Sequence, residues 1–248
     1  MPVMILRSYH GFTTIPEAAM PAPALAELAK MIDHSLLQPV LTDAEMEQGC
    51  RLAVEYGVAS VCIKPYAVPM AVKLLAGSGV AASTVIGFPH GGHLTKVKVY
   101  EAHAAMDDGA VELDMVANIG KVLTGDWAYV AADIKAVVDA AHSRGAKVKV
   151  IFENCFLQNE HKIQLCRICG EANADWVKTS TGYGESGATI DDLKLMREHS
   201  PPHVQVKAAG GVRSFETLMA VRAIGVTRVG ATATKAILDD AKAKLNGS

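Results

Sequence analysis

The chain has 248 residues, half of them apolar and 20% charged, so it can bury a large core and is too apolar to be disordered. A formal net charge of −2, with lysines and arginines dispersed among acids, leaves no basic face for nucleic acid. No stretch approaches the roughly 18 uninterrupted apolar residues of a membrane span, and the apolar part of residues 1–7 is too short for a secretory signal. A cytoplasmic protein without membrane or nucleic-acid partners is expected.

Residues 1–27 carry Pro2, Pro16, Pro21 and Pro23 without a clear period and are expected to form an arm or cap. From residue 28 to 248 the pattern predicts a single domain in which strands alternate with helices. Strands are expected at 31–34, 58–63, 81–86, 110–116, 146–152, 176–179, 204–208 and 228–230. Amphipathic stretches at 43–56, 95–108, 127–144, 160–172, 190–199 and 215–224 lie between them. Thr42 or Asp43, Thr95, Thr189 and Ser214 are candidate caps, and Gly57, Gly109, Gly145 and Gly225 candidate stops. Eight alternations imply a parallel sheet with right-handed crossovers. Their length suits a closed α/β barrel, the (β/α)8 TIM barrel of about 250 residues. No Gly-x-Gly-x-x-Gly follows the first strand, which removes the usual reason to prefer an open dinucleotide-binding sheet.

Strand side chains alternate faces. In 111–115, Glu112 and Asp114 share a face opposite Val111, Leu113 and Met115. In 147–153, Lys147, Lys149 and Glu153 oppose Val148, Val150 and Phe152. The apolar faces must pack against helices, so the charged faces point into the barrel. Asp114, Lys149, Lys178 and Lys207 then stand on four consecutive strands, toward their carboxyl ends. Cations crowded in an apolar barrel would depress the pKa of at least one lysine. A free amine near neutral pH attacks carbonyls to form a Schiff base, and a nearby carboxylate can relay protons. Protonated Lys207 and Lys149 are expected to keep Lys178 partly neutral. Glycine-bearing ends, Thr181-Gly182, Gly210-Gly211 and Gly230-Ala231-Thr232, free backbone amides where barrels commonly hold phosphate.

Other features read as packing or surface. The five cysteines, Cys50, Cys62, Cys155, Cys166 and Cys169, are odd in number and scattered, against a disulfide framework. Cys166 and Cys169 have the spacing of a metal or redox pair but lie in a helical pattern. His90 and His93 lack a third ligand at suitable spacing, so no metal site is expected. Cys62 and Trp176 are expected to fill space near the mouth and beneath Lys178. Lys64 and Lys96 are read as solvated surface.

At these residues the chain resembles the deoxyribose-phosphate aldolases, class I enzymes of the Schiff-base type. The matching pieces are Ile32-Asp33-His34-Ser35-Leu36-Leu37, Ser60-Val61-Cys62-Ile63, Val85-Ile86-Gly87-Phe88-Pro89, Val97-Lys98-Val99-Tyr100-Glu101-Ala102 and Glu112-Leu113-Asp114-Met115-Val116. Residues 149–153, the run Lys178-Thr179-Ser180-Thr181-Gly182 and the run 207–213 (Lys-Ala-Ala-Gly-Gly-Val-Arg) complete the set in family order. The resemblance implies cleavage of 2-deoxy-D-ribose 5-phosphate to acetaldehyde and D-glyceraldehyde 3-phosphate. It implies Lys178 as Schiff-base lysine, Lys207 as the partner that lowers its pKa, and Asp114 as proton-relay acid. It places Asp33, Ser35, Lys149 and Thr179 at the substrate pocket, and Gly182, Gly210, Gly211, Gly230 and Thr232 at the phosphate. It implies no metal or organic cofactor, phosphorylated sugar and aldehyde substrates, and allows a homodimer. Departures are Thr232-Ala233 where the family usually has two serines, Glu153-Asn154 where it has Glu-Thr, and the lack of a terminal tyrosine that some members carry. These bear on affinity and turnover rather than on reaction type. A related aldolase acting on another sugar, and a catalytically silent sugar-phosphate-binding barrel, are the alternatives.

Overall fold

A computed structural model of the chain describes residues 23–246. Its frame is a closed barrel of eight parallel strands: β1 (Ile32–Leu36), β2 (Ser60–Ile63), β3 (Ala81–Ile86), β4 (Glu112–Val116), β5 (Lys147–Ile151), β6 (Trp176–Lys178), β7 (Gln205–Ala209) and β8 (Arg228–Ala231). Each strand pairs with the next, and β8 closes on β1 with Gly230 opposite Asp33. Around it stand α2 (Asp43–Glu55), α3 (Val68–Leu75), α4 (Thr95–Asp107), α6 (Trp127–His142), α7 (Asn159–Glu171), α8 (Ile190–His199), α9 (Phe215–Ala223) and α10 (Thr234–Asn246). The short α1 (Leu25–Ala29) precedes β1, and α5 (Ile119–Thr124) precedes α6. This is the expected (β/α)8 architecture.

The outward strand faces make the main core. Val61, Leu113, Met115, Val148, Val150, Phe152, Val177, Val206 and Val229 are fully buried against the helices. Each such side chain contributes about 1.5–3 kcal/mol relative to exposure. Cys50, Cys166 and Cys169 are free thiols in this layer, and burial pushes the first two up to about 11 and Cys169 well above its usual range. They pack; they are not poised for redox chemistry.

Local signals explain most helix ends. Thr42 accepts from the Glu45 amide, and Glu45 reaches back to Thr42, closing a capping box. Thr189 and Ser214 cap α8 and α9 in the same sense. Thr95 departs from expectation: Leu94 is the cap residue, and the Thr95 hydroxyl donates instead to Asp133 at 2.8 Å. That carboxylate is buried beside Lys98, 2.6 Å away, and a second donor there is worth more than a helix cap. Gly57, Gly109, Gly145 and Gly225 follow their helices with φ of +61°, +99°, +74° and +93°, the left-handed exit that favours glycine.

Strand ends differ from expectation by one or two residues, and one difference matters. β1 runs on to Leu36, which brings Ser35 into the strand and onto the inward face with Asp33. Helices α1, α3, α5 and α10 were not among the expected stretches. Of the expected arm, residues 1–22 lie outside the described residues; Leu28 and Ala29 of α1 are buried. Among the described residues no helix is long and apolar enough to cross a membrane.

Candidate active site

The inward faces carry charge. Register sets Lys178 opposite Lys207 and Asp114 opposite Lys149, so these side chains enter the barrel at neighbouring levels. Asp114 gathers them. Its Oδ2 accepts from Lys178 Nζ and from Lys207 Nζ, both at 2.7 Å, and its Oδ1 accepts from Lys149 Nζ at 2.8 Å. Two lysine amines therefore meet on one oxygen atom rather than facing each other bare.

A second layer lies beneath. Glu112 accepts from Lys149 at 2.6 Å and from both guanidinium nitrogens of Arg228 at 3.0 and 3.1 Å. Asp33 Oδ1 accepts from Arg228 at 2.5 Å and from the Ser60 hydroxyl at 2.6 Å. Asp33 Oδ2 stands 2.5 Å from Lys207 Nζ and 3.7 Å from Lys149 Nζ, close ion contacts without hydrogen-bond alignment. Trp176 floors the group, with Lys147, Lys149 and Arg228 within 5.5 Å of its ring centre and its Nε1 donating to Thr227. Three carboxylates thus face four cations, Lys149, Lys178, Lys207 and Arg228. A neutral Lys178 leaves the set balanced.

The shifts follow that balance. Burial lowers the Lys178 pKa most and the Lys207 charge adds to it; together they outweigh the pull of Asp114. Lys207 and Lys149 are raised, because their carboxylates overcome the cost of burial. Burial pushes the Asp114 and Asp33 carboxyls up, but the lysines prevail and hold both well below the usual range. The expectation that crowding by cations would be the main cause is corrected: desolvation is the larger, and Lys149 is spent on holding Asp114. Among the lysines of the described residues, only Lys178 combines a depressed pKa with access to the cavity above.

The model of the DeoC/LacD family aldolases matches residues 27–237. The chain belongs to this family. A deoxyribose-phosphate aldolase of Rhodopirellula baltica is 58% identical over 88% of this chain and 91% of its own length. One from Clostridium perfringens is 51% identical over 86% and 95%. Among solved structures, a tetrameric deoxyribose phosphate aldolase from Aeropyrum pernix superposes with a TM-score of 0.82 at 30% identity, over 89% of this chain and 93% of that one.

In this family member the cavity lies over the carboxyl ends of β1, β2 and β6–β8. Asp33, Ser35, Lys178, Lys207, Gly182, Gly210, Gly211, Gly230 and Thr232 all line it. Asp114, Lys149 and Thr179 do not. Asp114 and Lys149 are fully buried below the lysine amines, and Thr179 Oγ1 is taken up by the backbone of Ala209, donating to its oxygen and accepting from its nitrogen. Cys62 lines the wall, its sulfur 4.0 Å from Asp114 Oδ2, and burial with that carboxylate raises its pKa, as suits a packed thiol.

The rim on the β6–β7 side is backbone packed on backbone. A Cβ on Gly187 would fall 2.5 Å from Gly210, so only glycine allows the two turns to touch. Thr181, Tyr183, Gln38 and Arg213 also line the cavity; Thr181 and Arg213 lie in runs already marked in the sequence, whereas Tyr183 and Gln38 were not singled out. Arg213 closes the 207–213 run, a positional clue; Tyr183 had none. His90 and His93 are exposed, and among the described residues no group of three or more His, Cys, Asp or Glu is placed to hold a metal. Lys64, read as free surface, donates to the Leu41 carbonyl at 2.8 Å and pins the turn after β1.

Proposed function

We propose that this aldolase cleaves 2-deoxy-D-ribose 5-phosphate reversibly through a Schiff base on Lys178, giving acetaldehyde and D-glyceraldehyde 3-phosphate. The observation that carries the reading is the shared contact of Lys178 and Lys207 on Asp114 at the floor of a glycine-rimmed cavity. The open-chain aldehyde carbon is attacked by the neutral Lys178 amine, and loss of water gives the iminium. A base then takes the proton of the 3-hydroxyl, the C2–C3 bond breaks, and its electron pair passes to the iminium nitrogen as an enamine. Protonation at C2 and hydrolysis release acetaldehyde and the free lysine.

Asp114 is the acid and base of these transfers, working through the amines it touches and water. Lys207, kept charged by Asp33 and Asp114, polarises the carbonyl oxygen and holds down the Lys178 pKa. The phosphate is assigned to the amides of Gly182, Gly210, Gly211 and Gly230, with the Thr232 hydroxyl at the head of α10 and Arg213 on the wall. Lys149 acts from below by fixing Asp114. The enzyme is further inferred to be cytoplasmic; a homodimer is allowed, the Aeropyrum pernix relative is described as tetrameric, and light scattering during gel filtration gives the assembly directly.

The test is mass spectrometry after reduction with borohydride in the presence of acetaldehyde. An ethyl group on Lys178 is the expected product. Labelling of Lys207 instead would reverse the two roles, and an unlabelled protein would favour the silent barrel.

A further inference from the structure

We propose that Glu153, which touches neither lysine, is a positioning residue that fixes the phosphate-side rim through Thr181 and Tyr183. Glu153 follows β5, is 2% exposed, and sits at φ +59°, ψ +65°, a left-handed conformation that residues with a Cβ rarely adopt. Its backbone is tied beside β6, with the Phe152 amide donating to the Lys178 carbonyl and the Asn154 amide to the Thr179 carbonyl, both at 2.9 Å. The turn aims the side chain across the end of β6 at the loop that begins three residues after the nucleophile.

There it takes every polar group that Thr181 can donate. The Thr181 amide reaches both carboxyl oxygens, at 3.2 and 3.3 Å, and the Thr181 hydroxyl makes a short bond to Oε2. With its proton committed to Glu153, Thr181 Oγ1 is left to accept, and the Tyr183 amide donates to it at 3.0 Å. The chain of bonds continues across the mouth. Tyr183 donates its hydroxyl to the Leu37 carbonyl at 2.8 Å, and its ring meets the Phe88 ring edge-on at 5.5 Å. One strap thus joins the turns after β5, β6, β1 and β3. The loop also packs tightly on its anchor, since a Cβ on Gly184 would fall 3.1 Å from the Glu153 carboxyl carbon.

Between the two ends of this strap lies Gly182, at φ +90° and open to the cavity. The inference rests on the reading that the phosphate end of the substrate lies against this rim. A pre-set rim receives the phosphate without first having to be ordered, whereas a slack one must be ordered by the substrate, which weakens binding and raises KM. Glu153 acts on substrate through Thr181 and Gly182, so its loss should be felt by phosphorylated substrate alone.

The experiment measures kcat and KM of Glu153→Ala and Glu153→Gln on 2-deoxyribose 5-phosphate and on unphosphorylated 2-deoxyribose, with borohydride–acetaldehyde labelling of each variant. For Glu153→Ala, KM for the phosphorylated sugar should rise about tenfold or more, while labelling of Lys178 and kcat/KM for the unphosphorylated sugar stay within about threefold. Glu153→Gln, which keeps an acceptor for Thr181, should recover most of the loss. If both substrates decline together, or the preference for phosphate survives Glu153→Ala, the assignment is overturned. Should Glu153→Ala not fold, Tyr183→Phe decides: a KM for the phosphorylated sugar raised about threefold supports the strap, and an unchanged one removes it. The labelling arm reports on the role of Lys178 and the substrate ratio on Glu153, so the two readings fail separately.

Discussion

The two faces of the same strands are built on opposite principles. Outside, between strands and helices, side chains such as Leu113, Met115, Val148, Val150 and Phe152 form a continuous apolar layer. Inside, Asp33, Glu112, Asp114, Lys149, Lys178, Lys207 and Arg228 form an ionic lattice with few apolar members. A buried ion pair adds little net stability over a well-packed apolar pair, because desolvation cancels most of the attraction. The outer layer therefore carries the fold, and the inner one is free to be arranged for chemistry. Removing one inner charge leaves its partner stranded, which makes the lattice sensitive to change.

That contrast can be broken from either side. The largest effect is expected for Lys178→Met, which should lower kcat by about four orders of magnitude or more, leaving only what binding and water supply. Its urea midpoint should hold or rise, because a buried amine with a depressed pKa is replaced by an apolar chain. Lys207→Leu should cut kcat/KM about a hundredfold and move the acidic limb of the pH–rate profile upward. Without the neighbouring cation Lys178 holds its proton to higher pH; an unmoved limb would show that the two lysines are not coupled.

On the outer face, Phe152→Ala should cost about 3–5 kcal/mol in urea unfolding without displacing the pH–rate profile. Acid unfolding tests the inner face again. Asp33 and Asp114 have folded pKa values below the unfolded value of about 3.9, so their stabilisation is complete above that value and is lost as pH falls through the folded ones. Asp33→Asn should therefore flatten the fall in stability below about pH 4, a change read directly from unfolding free energies across that range. Glu112→Gln is the mildest test. One negative charge fewer in the lower layer should move the acidic limb to lower pH by about half a unit, with kcat at its plateau within a fewfold.

The outer layer was almost wholly legible in the chain. Alternation in 113–115 and 148–152 announces which face meets the helices, although Val111, expected on that face, is half exposed just before β4, and a slip of one residue would put charges there. Asp114, Lys178 and Lys207 were legible for a related reason: a charge on an otherwise apolar strand has to be explained. Glu112 was legible only singly, and Arg228 was not singled out at all. They meet because closure brings β8 to β1 while the barrel is narrow enough for the guanidinium to span to β4. Tyr183, in a loop with no period, gave no signal of its own, and its partners Leu37 and Phe88 lie far away in sequence.

By itself the amino-acid order determined the eight alternating units, the faces of their strands and the lysine pair on neighbouring ones, because periodicity and cost of burial are local properties. Tertiary structure alone decided that both lysines share one carboxylate oxygen, that desolvation outweighs repulsion at Lys178, and that Glu153 ties down the rim. Those outcomes depend on barrel closure and on distances of a few ångströms between residues remote in the chain, which no local pattern encodes.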